Sequence, residues 1–278
     1  MRKLSLEEIH SAGLEILKDV DSFCRSRGIR YAMAYGTLLG AVRHKGYIPW
    51  DDDIDLVMAR SDYERFINEY TSDRYEFVCR ENNDEVWIAF GRVVDTRTTR
   101  LSGSSPWHSD KLSTGVWVDI FPLDYVPDDF DSYESVYNCF NNLLTLGRKA
   151  RGAHAWIEPW MPLKRKLKVY SHTHLHPHLK RIDPSRFALD YVRLIRKVTA
   201  EKTGHFAQLG CADRLNCWFD ADMLDELVDL PFEGHSFLAP KGWDKCLRVT
   251  FGDDYMQIPP KEKQVTDLFN LADIYTLD

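Results

Sequence analysis

The sequence predicts an α+β fold: a mixed sheet core flanked by helices over roughly the first 125 residues, followed by a helical region. Three observations predict it. Strand-type runs rich in Val, Ile, Phe, Tyr and Trp are interleaved with helical periodicities as far as Val126, the pattern after Pro127 becomes mostly helical and basic, and no repeat or low-complexity linker divides the chain. The expected organisation is one domain, 1–278, in which 1–127 form the core, 128–234 a mostly helical basic region, and 235–278 a segment that packs back on the core.

Each element has a local reason. Ser5 and Glu8 make a capping box, Ile9, Ile16, Val20 and Phe23 recur at helical spacing, and Gly28 ends the pattern, so the first helix covers about 6–27. IRYAMAY reads as a short strand, and GTLLGAVRHKG as a turn into a short helix ending at Gly46. A strand follows at about 53–58. Ser61 and Glu64 suggest a second capping box opening the helix DYERFINEY, and YEFVCRE, VWIAFGRVVDT and GVWVDIFPLDYV are three further strands. YSHTHLHPHLKRIDP reads as a loop within the helical region.

Composition narrows the function. The 278 residues, 44% of them hydrophobic, suffice for a sizeable core, and the formal net charge of −7 argues against nucleic acid as a partner. No run approaches the ~18 apolar residues of a membrane span, and the N-terminus is a charged amphipathic helix, which leads to the expectation of a cytoplasmic protein. The six cysteines form no CxxC pair, so reduced structural thiols are the default; a zinc site from Cys211, Cys217 and His205 is the less favoured reading.

Four aspartates crowd into five residues in PWDDDIDLVM, and carboxylates this close repel. Alternation along a strand puts Asp53, Asp55 and Val57 on one side and Ile54, Leu56 and Met58 on the other. Asp119 stands between Trp117 and Phe121 on its own strand, where an ionised carboxylate is costly unless paired or bound to a cation. Three carboxylates from two strands suit Mg²⁺, a hard ion that takes oxygen ligands. Asp51 and Asp52, after Pro49-Trp50, read as solvated turn residues. An EF-hand loop fits badly, because position six from Asp51 is Leu56 where Gly is needed. Gly36-Thr37, between a strand and a helix, has the form of a phosphate-receiving turn, while Gly-Thr taken alone is better explained by an ordinary turn.

Together, Gly36-Thr37, Asp53/Asp55 and Asp119 resemble the nucleotidyltransferase superfamily pattern. More specifically, YGTLLGAVRHKGYIPWDDDIDLVMARSDYERF, VWVDIFPLD and FGDDYMQIPPKEKQVT resemble the three blocks of the LicD family, which includes bacterial phosphocholine transferases and, more distantly, fukutin and fukutin-related protein. The resemblance spans about Tyr35 to Thr266 with a divergent middle. It implies a nucleotidyltransferase-like fold and an enzyme that moves a phospho-alcohol, phosphocholine foremost, from a CDP-alcohol donor to a hydroxyl of a cell-surface, lipid-linked or teichoic-acid-type glycan, releasing CMP. It further implies that Asp53, Asp55 and Asp119 bind Mg²⁺ or Mn²⁺ and that Gly36 and Thr37 contact the donor phosphates, with Asp119 alternatively a general base. Arg43, His44 and Lys45, just before the aspartates, suggest cationic help for the transferred phosphoryl group, and a solvated helix end explains them equally well. One departure stands out: Asp267-Leu268 occupies the place of a His pair found in many members.

The middle of the chain is basic. Between Arg148 and Lys197 thirteen Lys/Arg face three acids, an excess of +10 in a net acidic protein. HAWIEPWMPLKRKLK interleaves Trp156 and Trp160 with Lys164, Arg165, Lys166 and Lys168, suiting an anionic surface such as the inner face of a membrane or a lipid-linked polyphosphate acceptor, although a solvated helix face is the more common explanation for such charge. His172, His174, His176 and His178 read as a polar connector with metal capture as the alternative. Rival functions for the same carboxylates are an ordinary nucleotidyltransferase, a sugar-nucleotide glycosyltransferase and a non-catalytic scaffold. A glycosyltransferase DxD normally follows a nucleotide-binding half, for which the residues before Asp53 are too few, and a scaffold would be expected to lose carboxylates.

Overall fold

The computed structural model describes residues 2–84, 86, 88–100, 115–153, 167, 170–171, 177–211, 214–264 and 274–276. The first helix, α1 (Leu6–Arg27), forms where its signals place it. The Glu8 N–H donates to Ser5 Oγ (3.2 Å), the Ser5 N–H donates to Glu8 Oε2 (2.9 Å), and Gly28 turns the chain away at φ 61°. Its buried stripe of Ile9, Ile16, Leu17, Val20 and Cys24 belongs to the main core, which also includes Leu4 and Ile274.

The sheet is mixed. Strands β1 (Ala32–Met33), β2 (Asp55–Ala59), β3 (Tyr75–Val78), β4 (Gly91–Asp95) and β6 (Trp117–Val126) lie in the order β1-β2-β6-β4-β3, and only β2 and β6 pair in parallel. Beyond the end of β4, β6 continues into an antiparallel pairing with β7 (His205–Ala207), which pairs with β8 (Trp218–Asp220). Pro122 would disrupt an ordinary central strand. Here it falls between the last β4 pair, at Ile120, and the first β7 pair, at Asp124, where a missing N–H breaks no pairing with either partner.

Helices α2 (Tyr35–Arg43) and α3 (Arg60–Glu69) flank this sheet. Helices α4 (Phe130–Ala153) and α5 (Pro184–Val198) build a second apolar cluster from Tyr133, Tyr137, Phe140 and Leu144 against Tyr191, Val192 and Ile195. A hairpin of β9 (Leu227–Phe232) and β10 (His235–Pro240) turns at Glu233-Gly234, both with positive φ, and leads to α6 (Trp243–Phe251). The last strand, β11 (Ile274–Thr276), pairs with β5 (Thr98–Arg100), and the Leu4 N–H donates to the Ile274 carbonyl (2.9 Å), joining the two ends of the chain. No helix among the described residues is long and apolar enough to cross a membrane.

The α+β expectation is borne out, with local corrections. The strand expected at IRYAMAY shrinks to Ala32–Met33 because α2 already begins at Tyr35, and α2 ends at Arg43, short of Gly46. The 53–58 strand starts only at Asp55, leaving Asp53 in the loop. The Ser61/Glu64 capping box does not form. The helix follows β2 without a break, its N-cap is Ala59 with no side-chain cap bond, and Ser61 lies inside the first turn. The anchor is tertiary: Arg60 Nε and Nη2 donate to Asp124 Oδ1 and Oδ2 (2.8 and 2.7 Å), and Thr199 Oγ1 donates to the same carboxylate (3.2 Å). The stretch from 199 to 234, expected within a helical region, carries β7, β8 and β9. Trp156, Trp160, Lys164, Arg165, Lys166, Lys168, His172, His174, His176, Asp267 and Leu268 lie outside the described residues.

Asp124 is 1% exposed and its guanidinium partner 14%, so removing one charge strands the other. Asp124→Ala is expected to cost about 3–5 kcal/mol in urea denaturation. A loss below ~1 kcal/mol would mean that the pair does not anchor α3.

Candidate active site

The parallel pairing of β2 with β6 sets Asp55 directly opposite Asp119. Neighbouring strands lie roughly 4.8 Å apart, so two carboxylates in one register on one face must crowd each other. Asp53, from the loop just before β2, joins them: one carboxylate oxygen from each of Asp53, Asp55 and Asp119 lies within 4.8 Å of the others. Asp51, Asp52 and Asp53 form a second, overlapping group within the same limit. Asp51 and Asp52 lie on a turn, with the Asp51 N–H donating to the Ile48 carbonyl (2.9 Å), but they are not the solvated residues expected, since Asp52 is only 8% exposed.

The three central carboxylates differ in their partners. Asp119 is compensated: Arg92, opposite it on β4, donates from Nε to Oδ1 (2.7 Å), and Trp117 Nε1 donates to Oδ2 (3.2 Å). The Arg92 guanidinium also covers the Trp117 ring at 4.5 Å. A protein cation thus meets part of the demand that the sequence placed on a metal. Asp53 and Asp55 have no such relief, for among the described residues neither carboxylate makes a hydrogen bond or ion pair. Burial, then Asp55, Asp51 and Asp119, push the Asp53 carboxyl far above the usual carboxylate range. Burial and Asp119 do the same to Asp55, opposed by Arg214 and Arg92. An all-oxygen set of close, partly unpartnered carboxylates fits a hard divalent cation such as Mg²⁺ or Mn²⁺. Cys211, Cys217 and His205 do not form a comparable ligand group among the described residues; His205 instead stacks on Trp218 (3.7 Å) and pairs with Asp128.

Gly36 and Thr37 lie in the first turn of α2, beside the aspartates. Thr37 Oγ1 accepts the backbone N–H of Asp55 (2.8 Å) in a buried bond, so this residue fixes where β2 begins. A Cβ on Gly36 would fall 2.5 Å from Asp51 Oδ2, so a larger residue there would displace the Asp51 carboxylate from the positive end of the helix. Arg43 and Lys45 are engaged with backbone. Arg43 Nη1 donates to the carbonyls of Tyr255 and Gln257 (2.8 and 3.1 Å), tying the block after α6 to α2, and Lys45 Nζ donates to the Val42 carbonyl (3.1 Å). Neither side chain is shown in the carboxylate group. His44 packs edge-on against Trp50 (6.2 Å).

Three site residues were not read from the sequence. Arg92, a charge between Gly91 and the Val93-Val94 pair of a strand, carries a signal that alternation could have found. Gln208 and Arg214, in the loop between β7 and β8, carry none, because the fold alone brings them to Tyr35.

Residues 28–145 match the family model described as LicD/FKTN/FKRP, nucleotidyltransferase domain. The chain is 25% identical over 271 residues, 95% of its length and 96% of the relative's, to the lipopolysaccharide cholinephosphotransferase LicD of Haemophilus influenzae. Shorter matches link it to uncharacterised proteins of Rickettsia typhi (42% identical over 52 residues, 19% of this chain and 17% of the relative) and Rickettsia prowazekii (44% over 48 residues, 17% and 18%).

Two predictions follow from the crowded carboxylates and their support. Raised folded-state values mean that ionising Asp53 costs stability as pH climbs above the ordinary carboxylate range, and Asp53→Asn removes that cost. Without metal, Asp53→Asn is expected to melt about 2–4 °C higher than wild type at neutral pH, the shift of ~1 kcal/mol at this size, and to lose most of the stabilisation that Mg²⁺ confers on wild type. An equal Mg²⁺ response in both proteins would remove Asp53 from the ligand set. Thr37→Val should cost about 1–3 kcal/mol by leaving the Asp55 N–H buried without an acceptor, and Thr37→Ser should restore most of it. Equal denaturation midpoints for the Val and Ser variants would show that this bond does not hold β2.

Proposed function

We propose that this chain, whose residues 28–145 match the LicD/FKTN/FKRP nucleotidyltransferase-domain model, is a metal-dependent transferase that moves phosphocholine from CDP-choline to a hydroxyl of a cell-surface glycan, with CMP as leaving group. The observation that carries this reading is the three-carboxylate group of Asp53, Asp55 and Asp119, which lies inside the matched segment. The Haemophilus relative supports the chemistry in its name, transfer of cholinephosphate to lipopolysaccharide. A teichoic-acid-type or lipid-linked glycan is an acceptor of the same class, and an inner membrane face is the place where such an acceptor would meet the enzyme.

The residues divide the work. Asp53 and Asp55, without protein partners, would hold the metal together with Asp119, whose orientation Arg92 and Trp117 keep fixed. When bound, a divalent ion supplies positive charge where the phosphate oxygens gain negative charge. The Thr37 bond keeps Asp55 at the head of its strand, so the carboxylates are pre-organised in advance of substrate. Asp119 accepts a donor on each of its oxygens, which fixes its orientation as a ligand. Attack at the phosphorus bearing the alcohol suits this carboxylate group, because a divalent ion held there would act where the phosphate oxygens gain charge.

The leaving group provides the test. With CDP-choline, Mg²⁺ and a lipopolysaccharide or teichoic-acid acceptor, CMP is expected to form in step with a phosphodiester-linked product, and Asp55→Asn should reduce the rate by at least ~100-fold. Release of CDP with a sugar nucleotide would point to glycosyl transfer, pyrophosphate from CTP to nucleotidyl transfer, and near-wild-type activity of Asp55→Asn would sink the carboxylate assignment.

A further inference from the structure

Phosphate transfer needs a cation on the donor side of the carboxylates, and the arginines and lysine nearest in sequence are committed elsewhere: Arg43 and Lys45 to backbone carbonyls, Arg92 to Asp119. Arg214 is not committed. Its backbone N–H donates to the Tyr137 hydroxyl (2.7 Å), which holds its main chain, while its guanidinium carbon lies 4.4 Å from the centroid of the Tyr35 ring. Among the described residues this side chain makes no hydrogen bond or ion pair, and its Nε is buried without a partner. An orphaned guanidinium nitrogen in a folded protein asks for an explanation.

Tyr35 places the guanidinium. It opens α2 at φ 48°, immediately before Gly36-Thr37, and its ring meets Phe121 edge-on (5.8 Å), the residue that shares the Asp119 face of β6. Its hydroxyl donates to Gln208 Oε1 (2.6 Å), a residue 1% exposed, so the ring is fixed from both ends. Arg214 therefore lies on a rigid aromatic platform at the helix end that borders the carboxylates. A planar fork held face-on by an aromatic ring is pre-organised for two phosphate oxygens at once.

We propose that Arg214 is the phosphate-binding cation of this site, receiving the diphosphate of the donor, with Gln208 and Tyr35 as the residues that position it. The proposal rests on the donor reading above, and the test separates the two. Calorimetric titration of the full chain in Mg²⁺ would use pyrophosphate, which presents the diphosphate alone, and CDP, which adds the nucleoside. Arg214→Met is expected to weaken pyrophosphate and CDP binding roughly 10- to 100-fold. Millimolar guanidinium should restore part of the binding to Arg214→Ala, a rescue that a merely structural role would not show. Should these variants fail to fold, Arg214→Lys keeps the charge without the planar fork, and about tenfold weaker binding is expected. Wild-type pyrophosphate affinity in the folded Met variant, or in the Lys variant where Met does not fold, overturns the proposal. Wild-type protein that binds pyrophosphate as tightly as CDP removes the nucleotide donor but leaves Arg214 to be judged on pyrophosphate. Wild-type protein that binds neither overturns both.

Discussion

The parallel register that sets Asp55 against Asp119 is the constraint on which the rest of the structure depends. It brings two negative charges to about one strand spacing, and the Asp53 loop adds a third. Such a group is unfavourable by itself, so the surroundings must hold the backbone in register. The Thr37 hydroxyl accepts the Asp55 N–H, the Ile54 carbonyl accepts the Asp119 N–H (2.9 Å), and the Asp55 carbonyl accepts the Ala34 N–H (3.0 Å). Each bond fixes main chain and leaves the carboxylates of Asp53 and Asp55 free for another partner.

The positive charges are distributed unequally around this group. Arg92 neutralises Asp119 from the adjacent strand, and Arg60 with Asp124 closes the opposite end of β6 against α3 and Thr199. Arg43 secures the block after α6 through carbonyls and not through charge. Arg214 alone among these arginines has neither carboxylate nor carbonyl partner among the described residues. One strand, β6, thus carries a carboxylate of the crowded group near its start, with Arg92 on one oxygen, and a carboxylate that anchors α3 near its end.

Local signals and tertiary contacts contribute in different measure along the chain. The α1 capping box and Gly28 act within a few residues, and they appear in the structure as read. The Ser61/Glu64 box has the same chemistry and fails, because Arg60 is drawn to Asp124, sixty-four residues away, and starts the helix earlier. Asp51 and Asp52 looked solvated for a similar reason: turn chemistry describes their backbone, while burial depends on what the fold lays over them.

By itself, the sequence determined the α+β class, the run of the first helix and the identity of the three central carboxylates, since periodicity, capping and charge crowding are local properties readable residue by residue. Only the tertiary structure decided which cation serves which carboxylate. It withdrew Arg43 and Lys45 into backbone contacts, set Arg92 on Asp119, and brought Arg214 onto Tyr35 from a loop far along the chain. Pairing of charges depends on distance in space, which grows from the packing of strands and helices, and no spacing along the chain encodes it.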